Sequence, residues 1–128
     1  MTGATPNHVP YALVTGASSG IGAATARCLS VAGYTVALLA RRADKLEEVR
    51  RTLTGSGNLV IRADLNEPED IQRAIQQLRA AFGGLDLLVN NAGIGYRARL
   101  EELEADTLKR VFQTNVFAPL LMSQAALP

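Results

Sequence analysis

Thr15-Gly16-Ala17-Ser18-Ser19-Gly20-Ile21-Gly22 is the stretch that decides the fold. It follows the apolar run Tyr11-Ala12-Leu13-Val14 and opens a helical pattern. A buried strand, a glycine turn and a helix N-terminus in that order make a phosphate cradle. The first-turn N–H groups and the positive end of the helix dipole attract an anion. Glycines permit the tight turn and let a pyrophosphate approach the backbone. The spacing is Gly-x-x-x-Gly-x-Gly, not the usual Gly-x-Gly-x-x-Gly. Three glycines alone equally suit a plain strand-to-helix turn, and it is the strand before and the helix after that favour the cradle.

Outward from this point, strand and helix patterns alternate. Tyr11–Thr15 reads as a buried strand, and residues 21–32 as a helix stopped by Gly33. Thr35–Ala40 is a second strand. A second helix starts near Asp44, with Glu47 three residues on as in a capping box, and Gly55 lies past its end. Residues 58–62 form a third strand. Asn66 suits an N-cap with Pro68 just inside the next helix, whose stripe is Ile71, Ala74, Ile75 and Leu78 before Gly83-Gly84. Residues 85–89 are a fourth strand, 93–99 a loop, and a last helix runs from about Asp106 onward with a bend at Pro119. The pattern implies βαβ units and an α/β Rossmann-like doubly wound fold. Its parallel sheet has the order 3-2-1-4 within three α/β/α layers. Residues 1–10 read as a flexible lead and 11–128 as a single dinucleotide-binding domain. The fourth strand is then an open edge, which suggests a truncated domain or one covered by a partner.

Bulk properties narrow the function classes. The 128 residues are 48% hydrophobic and 20% charged, which excludes a disordered or fibrous chain. A net charge of +1 gives no reason to expect nucleic acid or a membrane surface as partner. No apolar run is long enough for a spanning helix, and no signal-peptide pattern opens the chain. A single cysteine, Cys28, allows no internal disulfide, so a cytoplasmic location is expected. No metal site is expected.

Further residues add chemistry to the cradle. A dinucleotide fold often ends its second strand on Asp or Glu, which binds the adenosine ribose. Here Ala40 stands there, followed by Arg41 and Arg42. An acid would repel a 2′-phosphate, whereas a guanidinium binds it through parallel hydrogen bonds. This favours NADP(H) over NAD(H), against the plainer reading of a solvated Arg pair. Asp64-Leu65 follows the third strand, where Asp64 either accepts from an adenine amino group or serves the loop. Asn90-Asn91-Ala92-Gly93 ends the fourth strand, where ligands of open sheets bind, although Asn and Gly are also common in turns. Asn115 falls within the apolar stripe of Leu108, Val111, Phe112 and Val116, so its amide is expected to be buried and partnered.

Together these residues resemble the classical short-chain dehydrogenase/reductase family. The match comprises Thr15-Gly16-x-x-x-Gly20-Ile21-Gly22, Arg41, Asp64-Leu65, Asn90-Asn91-Ala92-Gly93 and Asn115, in the expected order. The resemblance implies a nicotinamide cofactor along Gly16, Ser18, Ser19, Gly20, Ile21 and Gly22. Arg41, helped by Arg42, would meet a 2′-phosphate. Asp64 and Leu65 would frame adenine, while Asn91, Ala92 and Gly93 would contact ribose. It also implies that Asn115 belongs to the family's catalytic set, holding a helix kink and a water of the proton relay. The full-length protein is then expected to be a homo-oligomer, dimer or tetramer, acting on a small carbonyl or alcohol.

One departure is large. The family needs a Ser and a Tyr-x-x-x-Lys pair, whose tyrosine exchanges the substrate proton while the lysine lowers its pKa and binds ribose. Here Thr15 follows Tyr11 by four, Leu38 follows Tyr34 and Leu100 follows Tyr96. These residues are therefore expected to supply the cofactor-binding half of an oxidoreductase and to be inactive alone. The alternatives are a non-catalytic nucleotide-binding or assembly half-domain and a nicotinamide-sensing regulator.

Overall fold

Each apolar run between turn signals folds as a parallel strand, and each amphipathic run packs across the sheet. The computed structural model describes residues 8–128. Along the chain come β1 (Tyr11–Thr15), α1 (Gly20–Val31), β2 (Thr35–Ala40), α2 (Ala43–Arg50), β3 (Leu59–Arg62), α3 (Pro68–Phe82) and β4 (Leu87–Val89). A short 3₁₀ turn at Leu100–Glu102 leads to α4 (Ala105–Phe112), a π turn (Gln113–Phe117) and α5 (Ala118–Ala126). The sheet order is β3-β2-β1-β4, all pairs parallel, with Val14 opposite both Leu38 and Val89 and Leu39 opposite Ile61.

Strand alternation splits the core into two layers. Leu13, Leu39 and Ile61 face α3 and α5, meeting Ile71, Ile75, Leu78 and Met122. Val14, Val36 and Leu38 face the other way, onto Ala23 and Ala26 of α1 and Leu46 and Val49 of α2. Each fully buried Leu, Ile or Val contributes about 1.5–3 kcal/mol relative to exposure. The central strands β1 and β2 are apolar on both faces, as a covered parallel sheet requires.

The expected lead at residues 1–10 lies mostly outside the described residues. Among those described, the Pro10 carbonyl accepts from the Thr35 N–H at 2.9 Å, and His8 Nε2 lies 3.2 Å from Asp86 Oδ1. Asp86 Oδ2 also accepts the Tyr11 N–H at 2.8 Å, so this carboxylate ties the entry of β1 to that of β4.

Three local expectations are corrected. No capping box forms at Asp44: the N-cap is Arg42, and Glu47 instead accepts from Arg50 Nε at 2.8 Å. The N-cap of α3 is Glu67 rather than Asn66, because Asn66 turns back to Asp64. The last helix is not a continuous rod bent at Pro119. A π turn precedes that proline, with the Ala118 N–H bonded to the Gln113 carbonyl five residues back. Pro119 has no N–H for the Asn115 carbonyl, so the ordinary ladder cannot run through this point. The extra residue in the turn changes which side chains face inward. Thr114, Ala118 and Met122 are buried, whereas Phe112 and Val116 of the expected stripe are 52% and 43% exposed.

Candidate active site

The carboxyl ends of all four strands converge on one cavity of about 530 Å³, a volume suited to a small ligand or part of a dinucleotide. This is the place where open α/β sheets bind ligands, beside the point at which strand order reverses. Gly16, Ser18, Ser19 and Ile21 form its floor, and Arg41 and Arg42 stand at the end of β2. Asp64 and Leu65 follow β3, and Asn91, Ala92 and Gly93 follow β4. Sequence-predicted residues from four separate segments thus share one wall system. Gly20, Gly22 and Asn115 do not line it.

Gly22 lies beneath the loop, where a Cβ would come 2.6 Å from Asn91 Nδ2 and 2.8 Å from the Gly16 carbonyl carbon. Its lack of a side chain allows close packing of α1 on the sheet end. Gly16 has φ +62°, a left-handed conformation that favours glycine, and a Cβ there would meet Ala92 Cα at 2.8 Å. The glycine loop and the Asn-Asn-Ala-Gly segment are therefore packed directly together.

Hydrogen bonds reinforce that junction. Asn91 Nδ2 donates to the carbonyls of Thr15 and Gly16, both at 3.2 Å. Thr15 is 2% exposed, and its hydroxyl oxygen accepts the Asn91 and Ala92 N–H groups at 3.0 Å each. Asn90 Nδ2 donates to Ser123 Oγ at 3.2 Å, joining the end of β4 to α5. The Asn-rich segment is held by the sheet end itself, which keeps Asn91, Ala92 and Gly93 on the cavity wall.

The electrostatics favour an anion at the glycine loop. Ser19, the N-cap of α1, makes no side-chain capping bond, and the first turn carries no acid. The positive end of this helix therefore opens toward the loop without a protein counter-charge. Arg41 is exposed and has no ion-pair partner among the described residues, while Arg42 reaches Asp44 at 3.4 Å, an exposed pair of little energetic weight. Across the cavity, Arg110 of α4 adds a third guanidinium to the wall.

Asp64 is partly engaged by its own loop. Its Oδ1 accepts from Asn66 N at 2.9 Å and from Asn66 Nδ2 at 3.3 Å, while its backbone N–H donates to Asp70 Oδ2 at 2.8 Å. Asp64 Oδ2 has no hydrogen-bond partner among the described residues. Asn115 is exposed rather than buried, a correction to the stripe reading. Its amide is nonetheless fully used: Oδ1 accepts the Ile94 N–H and Nδ2 donates to the Ile94 carbonyl, both at 2.8 Å. This pair ties the π turn to the loop after Gly93.

Arg110, Thr114, Asn66 and Ile94 also line the cavity and escape the sequence reading. Thr114 sits beside Asn115, but no local pattern separates it from a core threonine. Among the described residues, no cluster of His, Cys, Asp and Glu is arranged to hold a metal ion, and no helix is long and apolar enough to cross a membrane.

Residues 10–128 match the family model described as short chain dehydrogenase. The chain is 36% identical over 122 residues to a mouse protein named dehydrogenase/reductase SDR family member 7B, an alignment covering 91% of this chain and 38% of that protein. It is 42% identical over 120 residues to 11-beta-hydroxysteroid dehydrogenase 1A of Arabidopsis thaliana, covering 91% of this chain and 34% of the relative. Among solved structures, a metagenomic short-chain oxidoreductase in complex with NADP superposes with a TM-score of 0.84 at 37% identity, covering 91% of this chain and 54% of that one. The chain thus spans well under two thirds of the length of these relatives.

Proposed function

Because the chain belongs to the short chain dehydrogenase family, we propose that it is the cofactor-binding part of an oxidoreductase that uses NADP(H) in preference to NAD(H). The observation that carries this reading is the pairing of an acid-lacking α1 N-terminus with Arg41 at the end of β2, both on one cavity. The bound nicotinamide would supply hydride exchange with a carbonyl or secondary alcohol. The resemblance to a structure solved with NADP supports the same cofactor.

Each group of residues then has a task. Gly16, Ser18, Ser19, Gly20 and Ile21 present backbone amides and small side chains to a pyrophosphate, and Gly22 keeps α1 close enough for them to do so. Arg41, with Arg42 beside it, offers parallel N–H donors to a 2′-phosphate. Asp64 accepts from the adenine amino group through Oδ2 while Leu65 packs nearby. Asn91, Ala92 and Gly93 lie along ribose, held there by Thr15.

Asn115 commits its side chain to Ile94 and leaves its carbonyl without the usual fourth-residue donor. We assign that carbonyl to a water of the proton relay. No tyrosine among these residues has a lysine four positions on, so on this reading the 128 residues alone do not turn over substrate. The active protein is proposed to be a cytoplasmic homo-oligomer.

Titration of the protein with NADPH and with NADH, followed by nicotinamide fluorescence, tests the proposal. Tighter NADPH binding is expected. Equal or tighter NADH binding contradicts the phosphate preference, and failure to bind either contradicts the cofactor assignment.

A further inference from the structure

The loop after β3 and the π turn are far apart in sequence but joined by two hydrogen bonds. Gln113 Nε2 donates to the Leu65 carbonyl at 3.3 Å, and Thr114 Oγ1 donates to Asn66 Oδ1 at 3.2 Å. Thr114 is 6% exposed and lines the cavity. With its Oδ1 engaged by the hydroxyl, the Asn66 amide presents Nδ2 to Asp64 Oδ1 at 3.3 Å. The reversed amide would set its carbonyl oxygen against the carboxylate, two acceptors with no proton between them. The acceptor-only carboxylate fixes the amide's orientation, and the threonine hydroxyl, able to donate or accept, holds the amide in place. One Asp64 oxygen is held, and Oδ2 remains for the cavity.

We infer that Thr114, acting through Asn66, is a positioning residue that sets the Asp64 carboxylate and thereby selects an amino-bearing base over a keto-bearing one. This rests on the proposed dinucleotide reading. An ionised carboxylate accepts hydrogen bonds and donates none. It welcomes the exocyclic amino group of adenine and opposes the oxygen that hypoxanthine carries at the same ring position. Without the Thr114 hydroxyl the Asn66 side chain loosens, and the Asn66 backbone N–H at 2.9 Å remains as the single firm tether on Asp64 Oδ1. About that one bond the carboxylate can tilt away from the oxygen, so the choice of base relaxes.

The test compares NADPH with its deamino analogue, in which hypoxanthine replaces adenine, by direct binding to the protein. The wild type favours NADPH by about tenfold, the scale of one hydrogen bond to a charged group. Thr114→Val narrows that ratio severalfold, mainly through weaker NADPH binding, and Thr114→Ser restores it. Asn66→Ala narrows it as well, which keeps the test decisive if the valine variant fails to fold. A wild-type ratio retained in Thr114→Val, or in Asn66→Ala if only that variant folds, overturns the inference. So does a wild type that binds both nucleotides equally, although that result spares the cofactor reading. A wild type that binds neither overturns both.

Discussion

Replacing Thr15 by Val removes one hydroxyl and leaves the shape of the side chain almost unchanged. In the native protein that oxygen accepts two backbone N–H groups, from Asn91 and Ala92, at 3.0 Å each. The Asn91 N–H has a second acceptor, the Val89 carbonyl at 3.1 Å, and keeps it in the variant. The Ala92 N–H has no other acceptor among the described residues and is orphaned. One unsatisfied, half-buried donor costs about 1–3 kcal/mol, and the added methyl in a closed strand returns only part of this. A net loss of about 1–2 kcal/mol is expected, or roughly 4–8 °C in Tm for a domain of this size.

Urea unfolding measures it directly, with the midpoint lowered and the slope unchanged. NADPH affinity falls with it, because Ala92 and Gly93 lose their register on the glycine loop. Thr15→Ser separates the two effects: it loses about 0.8 kcal/mol with its methyl but keeps affinity. A Thr15→Val protein as stable as the wild type, with undiminished affinity, refutes the claim that this hydroxyl holds the cavity wall.

Three further outcomes are expected. Arg41→Ala weakens NADPH binding by about tenfold to a hundredfold, the scale of a charge-assisted hydrogen bond, and leaves NADH affinity within about twofold in parallel titrations. Gly22→Ala drives a methyl into Asn91 and the Gly16 backbone, so it destabilises by about 1–3 kcal/mol or more and lowers affinity for both nucleotides, as calorimetry and binding together report. Asn115→Ala loses both amide bonds to Ile94. Hydrogen exchange of the Ile94 amide then accelerates by about tenfold, while Tm moves by only a few degrees.

The strands and helices were legible because hydrophobic period and glycine stops are local signals. Leu13, Leu39 and Ile61 alternate with Val14, Val36 and Leu38, and the structure places these sets on opposite faces. Arg41 was legible for a similar reason, since β2 ends on Ala40 and the next side chain must stand at the rim. Side-chain capping was not legible at Asp44 or Asn66, where competing partners decide the outcome. Asn66 pairs with Asp64, and Glu47 pairs with Arg50. The π turn is not legible either: Pro119 signals a disturbance, but nothing in the spacing around it shows that the ladder widens before the proline. The roles of Thr15 and Thr114 depend on partners 76 and 48 residues away, so only the folded chain brings them into view.

A crystal structure of the protein with NADP⁺ tests the central claim most directly. The account predicts the pyrophosphate on the backbone of Gly16 to Ile21 and the 2′-phosphate within hydrogen-bond reach of the Arg41 guanidinium. Dinucleotide density elsewhere, or in this cavity with the 2′-phosphate turned away from Arg41, would contradict it.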